Sequence, residues 1–307
     1  MATQTELITA ANIAYHEAEA KLYDASHPEI EKERTSWNLF AQRFMQNSAD
    51  RPPMKILDVG CGTGFVATVL HPFLKTGDTY IGSDICPDML ERVPKMARGA
   101  EIRTVVMPAD RLAFDDNSFD IVVVNSALHH FPNVDAALNE MKRVGKPGGI
   151  LAILHEPNIR FSKSFFLRQV ARFASVLAAR VDKSHTDRVR PNYGPVFEHV
   201  NNRLIAEGLI DKPLAQKEVQ ALVDVHSPTA RGIFEERGFD PFEWIKTTFC
   251  GWPVESVATY NFLGKLDPTI WWRSCLNRLI ASFFPKNGSL FSLVVRKPRS
   301  DQGVLTG

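Results

Sequence analysis

A short glycine-rich segment places the tightest limit on what this chain can fold into. It reads Asp58-Val-Gly60-Cys-Gly62-Thr-Gly64 and follows the apolar run Lys55-Ile-Leu. Residues without a Cβ let the backbone approach a ligand closely, and they leave the N–H groups of a turn accessible. The segment therefore predicts a strand, a ligand-binding turn and a helix, in that order.

The stretch 55–155 alternates between short apolar runs and segments with helical periodicity, which is typical of a parallel sheet covered by helices. The nearly continuous run at 121–124 is expected of a central strand buried on both faces. We predict helices after Gly64, over 87–96 and over 134–144. The predicted strands of this part cover residues 55–59, 79–83, 102–106, 119–124 and 149–154.

An acidic residue ends the second predicted strand, in Tyr80-Ile-Gly-Ser-Asp84. A carboxylate about 20 residues after the glycine turn accepts hydrogen bonds from two vicinal ribose hydroxyls in nucleoside-binding sheets. The dinucleotide fingerprint G-x-G-x-x-G is not met, because Phe65 stands where its third glycine would fall. Asp58 would also repel a pyrophosphate and favour a ligand that carries a cation. Asp110, in a polar loop, is either an acceptor for an adenine amino group or part of a solvated turn.

Four ordered motifs resemble those of class I S-adenosylmethionine-dependent methyltransferases over roughly residues 54–156. They are the glycine segment, Gly-Ser-Asp84-Ile-Cys-Pro-Asp-Met89-Leu, Asp110 before Phe-Asp-Asp-Asn-Ser-Phe-Asp120, and Lys-Pro-Gly-Gly149. The resemblance implies an α/β fold: a doubly wound, seven-stranded, Rossmann-like methyltransferase sheet, with an antiparallel last strand. It also implies helical insertions after strand 5 and between strands 6 and 7, and S-adenosyl-L-methionine as the cofactor.

The resemblance assigns a role to each residue of the expected cofactor site. The glycine turn would contact the methionine part, with Asp58 shaping it near the ammonium group. Asp84 would hold the ribose and Asp110 the adenine amino group, while residues 85 and 89 would flank the adenine. The implied cofactor-binding residues are Asp58, Gly60, Cys61, Gly62, Asp84, Ile85, Met89, Asp110 and Asn125.

Two histidines, His129 and His130, follow the fourth predicted strand, where open α/β sheets bind their ligands. Imidazole removes a proton from an oxygen acceptor near neutral pH. In some small-molecule O-methyltransferases of the family a catalytic histidine stands at the position of His129, and in many relatives the pair caps the next helix; both roles stay open. Glu156, after the fifth strand, is a second catalytic candidate or a residue that pins the loop. Tyr23 resembles the tyrosine of an N-terminal cover and is predicted as a lid residue.

The remaining segments predict an organisation around this core. Two further strands are expected at 242–249 and 290–295, with a helix over 230–237 that Gly238 ends. We predict an N-terminal helical cover at 1–50 and an S-adenosylmethionine-binding core at 51–157. A helical insertion at 158–227 would form an acceptor-binding lid, and 228–307 would complete the core around a second insertion at about 251–287.

Composition narrows the function classes. The 307 residues carry a net charge of +1, so no global field favours nucleic acid. The four cysteines form no C-x-x-C pair and indicate no metal site, and reduced thiols suit a cytoplasmic location. We see neither a signal peptide nor a stretch long enough to span a membrane.

The insertions suggest an apolar acceptor. Residues 158–200 hold eight basic and three acidic side chains. Basic, aromatic, amphipathic helices lie on anionic membranes or line an apolar pocket, unless they simply pack on the sheet. Apolar residues recur at helical spacing at Phe166, Val170, Phe173, Leu177, Trp272, Leu276, Leu279 and Phe283.

The sequence therefore predicts a methyltransferase, of the type EC 2.1.1, that acts on a small, hydrophobic acceptor in biosynthesis or secondary metabolism. Peripheral membrane contact is a hypothesis. A nucleic-acid methyltransferase is the first alternative, but Asn125-Ser-Ala-Leu lacks the Asn/Asp-Pro-Pro-aromatic tetrad that methylation of exocyclic amines would need. A non-catalytic S-adenosylmethionine-binding partner protein is the second.

Overall fold

The computed structural model describes residues 2–21, 23, 33–45, 51–95, 99–181, 192–227, 237–263 and 271–299. Two short 3₁₀ turns, His71–Phe73 and Leu128–His130, accompany the elements. In chain order these are α1 (Gln4–Glu19), α2 (Arg34–Phe44), β1 (Lys55–Val59), α3 (Phe65–Leu70), β2 (Thr79–Asp84), α4 (Pro87–Leu90), β3 (Glu101–Val106), β4 (Phe119–Asn125), α5 (Val134–Val144), β5 (Gly145–Pro157), α6 (Ile159–Lys163), α7 (Phe165–Val181), α8 (Gly194–Ala206), α9 (Gln216–Val223), α10 (Pro241–Lys246), β6 (Val254–Tyr260), α11 (Trp271–Phe283) and β7 (Leu290–Arg296).

The strands form one seven-stranded sheet in the order β3-β2-β1-β4-β5-β7-β6. β1 to β5 are parallel, and β7 lies antiparallel between β5 and β6. The chain reverses its direction of travel across the sheet between β1 and β4, and open α/β sheets bind ligands at the carboxyl side of such a switch point. The predicted fold class, with the antiparallel last strand, is confirmed.

Strand β4 divides the core into two layers. Ile121 and Val123 belong to the cluster on one face of the sheet, and Val122 and Val124 belong to the cluster on the other. All four side chains have no solvent exposure. This burial on both faces is what the unbroken apolar run predicts.

The sixth strand lies elsewhere than the sequence predicts. Residues 241–246 form helix α10, and β6 occupies Val254–Tyr260, inside the stretch predicted as an insertion at about 251–287. Asp240 starts the helix by accepting hydrogen bonds from the N–H groups of Phe242 and Glu243, at 3.0 and 3.3 Å. Pro241 follows at the first helical position, which suits its fixed φ. The helix between β6 and β7 is thus α11, and the helix predicted at 230–237 lies outside the described residues except for Arg237.

Helix α1 joins the insertion rather than the sheet. Its side chains Ala11, Ala14 and Tyr15 share one buried cluster with α8 and α9, whereas Trp37 of α2 packs in the sheet cluster. The N-terminal segment therefore contains one helix that covers the insertion and one that covers the sheet. The predicted domain boundaries stay a prediction.

Candidate active site

The glycine turn after β1 is held against two neighbouring segments. Gly60, Gly62 and Gly64 adopt left-handed backbone conformations, with φ of 71°, 52° and 85°. A Cβ on Gly60 would lie 2.7 Å from the Cβ of Ala127, so only glycine allows this approach to the segment after β4. A Cβ on Gly62 would meet no atom within 4 Å, because it would point into an open cavity.

The carboxylate of Asp84 ties the glycine turn to the end of β2. Its Oδ2 accepts a hydrogen bond from Gly62 N–H at 2.9 Å, and its Oδ1 accepts one from Cys86 N–H at 2.9 Å. Burial raises the pKa of Asp84, and the backbone N–H groups oppose that rise. Each oxygen has a further lone pair, so the carboxylate is able to accept from a bound diol as well.

A cavity of about 890 Å³, including its opening to solvent, lies at the carboxyl ends of β1, β2 and β4. The segments after β3 and β4 supply further walls, and helix α1 closes one side. The lining residues are Thr9, Asn12, His16, Tyr23, Gly60, Gly62, Asp84, Ile85, Met89, Met107, Pro108, Ala109, Asp110, Ser126, Ala127, His130, Phe131, Pro132, Asn133 and Ala137.

Most of the predicted site residues meet in this cavity. Those in its lining are Tyr23, Gly60, Gly62, Asp84, Ile85, Met89 and Asp110. Tyr23 packs on the buried cluster of Ala20, Cys86 and Met89, as a lid residue over this side of the cavity would. The predicted residues outside the lining are Asp58, Cys61, Asn125, His129 and Glu156.

Asp58 lies next to the glycine turn and has no solvent exposure. Its Oδ2 accepts a short hydrogen bond from the Tyr80 hydroxyl, and its Oδ1 has no hydrogen-bond partner among the described residues. Burial raises the pKa of this carboxyl to about 7, and the hydrogen bond from Tyr80 opposes the rise. A buried acceptor that lacks a donor is stabilised by a nearby positive charge.

Cys61 and Asn125 have structural contacts instead of a place in the cavity wall. The Cys61 side chain fills the space beside Gly82, where a Cβ would lie 2.7 Å from its sulfur. Burial holds the pKa of the thiol well above its usual value, so the side chain acts as a small apolar filler. The Oδ1 of Asn125 accepts a hydrogen bond from the Trp37 indole N–H at 3.1 Å, which links β4 to α2.

Glu156 is a fully buried carboxylate that holds the segment after β4. Its Oε1 accepts from the N–H groups of Ala127 and Leu128 at 2.7 and 2.8 Å. Its Oε2 lies 2.9 Å from Nδ1 of His129, which therefore donates to it. Glu156 thus positions a turn that forms part of the cavity wall, and its own oxygens do not line the cavity.

His130 lines the cavity, although sequence reasoning favoured its neighbour His129. Its Nδ1 lies 2.8 Å from the carbonyl oxygen of Val223, the last residue of α9. A carbonyl only accepts, so Nδ1 carries the proton and Nε2 has the lone pair. Burial, and then the neighbouring His129, lower the pKa of His130, so the ring is neutral at pH 7. The signal available in the sequence was the doubled histidine, which does not reveal which ring faces inward.

One cluster of side chains is relevant to the prediction that the chain has no metal site. Within the described part of the chain, His129, His130 and Asp224 bring possible ligand atoms within 4.8 Å of one another. The Nδ1 atoms of both rings already contact oxygens of Glu156 and Val223. We interpret the cluster as a hydrogen-bonded connection between the turn after β4 and the end of α9.

Comparison with known proteins identifies the core. The sequence model of a family described as "Methyltransferase domain" matches residues 57–153, which span β1 to β5 and every wall of the cavity except the N-terminal one. The core is a class I methyltransferase domain. The resemblance predicted from the four motifs is confirmed, and S-adenosylmethionine is the methyl donor of this family.

Several curated relatives carry the same name. A protein named demethylmenaquinone methyltransferase from Staphylococcus aureus is 34% identical over 131 residues, which are 42% of this chain and 54% of that protein. One with the same name from Thermus thermophilus is 35% identical over 118 residues, which are 38% of this chain and 53% of that protein. The chain thus spans about half the length of the curated relatives it matches.

Among solved structures, an S-adenosylmethionine-dependent methyltransferase from Mesorhizobium loti is similar, with 16% identity and a TM-score of 0.45. The similarity covers 83% of this chain and 97% of that one.

Three features of the cavity suit S-adenosylmethionine as its ligand. Gly62 leaves open space in the lining where any side chain would intrude. Asp84 presents a carboxylate at the end of β2, which is where nucleoside-binding α/β sheets in general hold a ribose diol. Asp58 keeps a buried acceptor beside the turn, which suits a ligand with an ammonium and a sulfonium group.

Proposed function

We infer that the protein is an S-adenosylmethionine-dependent methyltransferase that acts on a small, apolar, hydroxylated acceptor. The observation that carries the proposal is that one cavity joins the glycine turn and Asp84 to His130. The residues implied for the donor and a neutral imidazole with its lone pair on Nε2 therefore line the same space. Cofactor binding and removal of an acceptor proton become possible in one site.

Bound S-adenosylmethionine supplies a methyl group on a positively charged sulfur. The glycine turn and Asp84 would hold this donor, whose chemistry would be in-line transfer of the methyl group to an acceptor atom, with the electrons of the carbon–sulfur bond left on the sulfur. The task of the protein is to align the two reactants, which supplies much of the rate enhancement. A hydroxylated acceptor also loses its O–H proton, to Nε2 of His130 in our proposal. Loss of that proton makes either the oxygen or an adjacent ring carbon a better nucleophile.

The side chains that follow His130 in the cavity wall support an apolar acceptor. Phe131, Pro132 and Ala137, which follow His130 in the chain, line the cavity. The name shared by the relatives supports a quinone-like ring as the acceptor class. The predicted cytoplasmic location belongs to the same proposal, and the four free cysteines support it.

A transfer assay tests the proposed activity. The protein is incubated with methyl-labelled S-adenosylmethionine and either a reduced, demethylated naphthoquinone with an isoprenoid tail or a simple catechol. We expect methyl transfer to the quinol to be faster than transfer to catechol, because an apolar acceptor gains from burial in an apolar site. If neither acceptor nor any other hydroxylated aromatic compound is methylated by protein that binds S-adenosylhomocysteine, the proposal is wrong.

The two histidines give a matched pair of variants. We expect His130→Ala to lower kcat by about 10²–10⁴-fold, which is the usual contribution of a general base. His129→Ala should lower kcat much less, because the His129 ring is turned toward Glu156 and lies outside the cavity lining. Steady-state kinetics together with S-adenosylhomocysteine affinity make the comparison. Equal losses in both variants, or full activity of His130→Ala, would contradict the assignment of the base.

A further inference from the structure

Helices α7 and α11 of the insertions present large apolar side chains to solvent. On α7 the exposed fractions are 68% for Phe165 and 71% for Phe173, and on α11 they are 79% for Trp271 and 72% for Phe283. A helix of a globular protein normally has polar residues opposite its buried stripe. Here the outer faces carry large apolar side chains as well, among arginines, which marks a surface that binds another phase or molecule.

The inner faces of α7 and α11 pack in one buried cluster. Leu167, Ala171, Ala174 and Ala178 of α7 share a buried cluster with Ile280 of α11. The buried contact between the two helices therefore does not involve the exposed aromatic residues. The exposed aromatic surfaces adjoin at one end, where the ring centroids of Phe166 on α7 and Phe284, the residue after α11, lie 5.8 Å apart. The exposed side chains thus form one surface, which we call the α7/α11 face.

The charge of this face has one sign. Neither α7 nor α11 contains an aspartate or glutamate. Arg172 and Arg180 on α7 and Arg278 on α11 are exposed, and no carboxylate pairs with them among the described residues. A surface that combines exposed phenylalanine and tryptophan with unopposed arginine complements an anionic bilayer, whose headgroups attract the cations while the rings enter the acyl boundary.

The position of the α7/α11 face relative to the sheet suits a membrane-derived acceptor. Helices α6 and α7 follow the carboxyl end of β5, and α11 precedes β7, whose first residue Leu290 pairs with Pro157 at that same end. The cavity lies at the same edge of the sheet, after β1, β2 and β4. None of the helices in the described ranges has both the length and the apolar content to cross a bilayer. Contact would therefore be lateral, with the helices lying on the surface.

We propose that the α7/α11 face binds the surface of an anionic phospholipid bilayer. The inference stands on exposure and charge, and it does not depend on the identity of the acceptor.

Vesicle flotation of the full chain tests the proposal. We expect the protein to float with vesicles of equal parts phosphatidylglycerol and phosphatidylcholine, and to float much less with phosphatidylcholine alone or in high salt. The double variant Phe173→Ser, Phe283→Ser should weaken binding at least about tenfold. The double variant Arg172→Gln, Arg278→Gln should weaken it by about 30-fold.

Leu39→Ser and Lys217→Gln are matched controls, since Leu39 is 62% exposed on α2 and Lys217 is exposed on α9. Both should bind like the parent protein, and thermal unfolding checks that every variant is folded. The proposal is overturned if the folded parent protein ignores anionic vesicles, or if the controls lose as much binding as the face variants. It is also overturned if the α7/α11 face instead mediates self-association, which sedimentation at several concentrations would reveal. Transfer to a soluble acceptor without vesicles reports on the proposed activity separately.

Discussion

Replacing Asp84 with alanine is expected to reduce the affinity for S-adenosylhomocysteine by about 100-fold or more. The carboxylate is expected to accept from the ribose hydroxyls, and hydrogen bonds to a charged acceptor contribute about 1.5–3 kcal/mol each. The variant also removes the acceptors for Gly62 N–H and Cys86 N–H, which hold the glycine turn in its open shape. Two lost ligand contacts together with a looser turn account for the size of the effect. Isothermal titration calorimetry measures it.

Two further variants separate binding from folding. Asp88→Ala removes an exposed carboxylate from the neighbouring helix α4 and should leave the affinity unchanged. Asp84→Asn keeps one acceptor oxygen and should fall between the parent protein and Asp84→Ala. An Asp84→Ala protein that binds S-adenosylhomocysteine as tightly as the parent would refute the assignment of Asp84 to the ribose.

The place of the glycine turn and of Asp84 in the cavity was predictable, because both stand at the carboxyl ends of predicted strands. Gly60 and Gly62 lie in the turn after β1 and Asp84 ends β2, and the carboxyl ends of parallel strands meet at one edge. Strand periodicity thus fixes both the fold and the place of these residues. Strand periodicity does not fix the direction in which each side chain points. The side chains of Cys61 and Asn125 contact Gly82 and Trp37 and do not line the cavity.

The predicted position of the sixth strand was wrong, because local composition favoured a different segment. The segment Phe242-Glu-Trp-Ile-Lys-Thr-Thr-Phe249 is rich in aromatic and β-branched residues, which favour strands. The capping signal of Asp240 and Pro241 opposes this preference, and the capped helix α10 is what forms. Tertiary context decides such conflicts, since β6 is stabilised by its pairing with β7. The sixth strand instead occupies the next segment in which apolar and polar residues alternate, Val254-Glu-Ser-Val-Ala-Thr-Tyr260.

The part of the cavity wall formed by His130 and helix α1 depends on contacts between segments that are distant in sequence. His130 is held by Val223, and Asn12 and His16 line the cavity only because α1 packs on α8 and α9. No spacing rule links residues 12, 130 and 223. The 3₁₀ turn at Leu128–His130 also directs successive side chains about 120° apart, so the neighbouring histidines face different surroundings.

Glu156→Ala is expected to lower the free energy of unfolding by about 3 kcal/mol or more and to abolish methyl transfer. The alanine leaves the N–H groups of Ala127 and Leu128 and the Nδ1–H of His129 without their acceptor in a fully buried place. Each unsatisfied buried donor costs about 1–3 kcal/mol. The same turn contacts Gly60 and positions His130, so its relaxation would deform the cavity wall at both residues. Urea unfolding at constant m-value, with kcat measured well below the transition, quantifies both effects.

The conservative variant Glu156→Gln distinguishes positioning from proton transfer. Its amide oxygen still accepts from the two backbone N–H groups, and its NH₂ group donates to Nδ1 once His129 moves its proton to Nε2. We therefore expect Glu156→Gln to regain most of the stability and a substantial part of kcat, with an unchanged pH profile. A glutamine variant that folds as stably as the parent protein but has lost all activity would instead assign a direct chemical role to the carboxylate. Glu198→Ala, an exposed glutamate on α8, should change neither quantity.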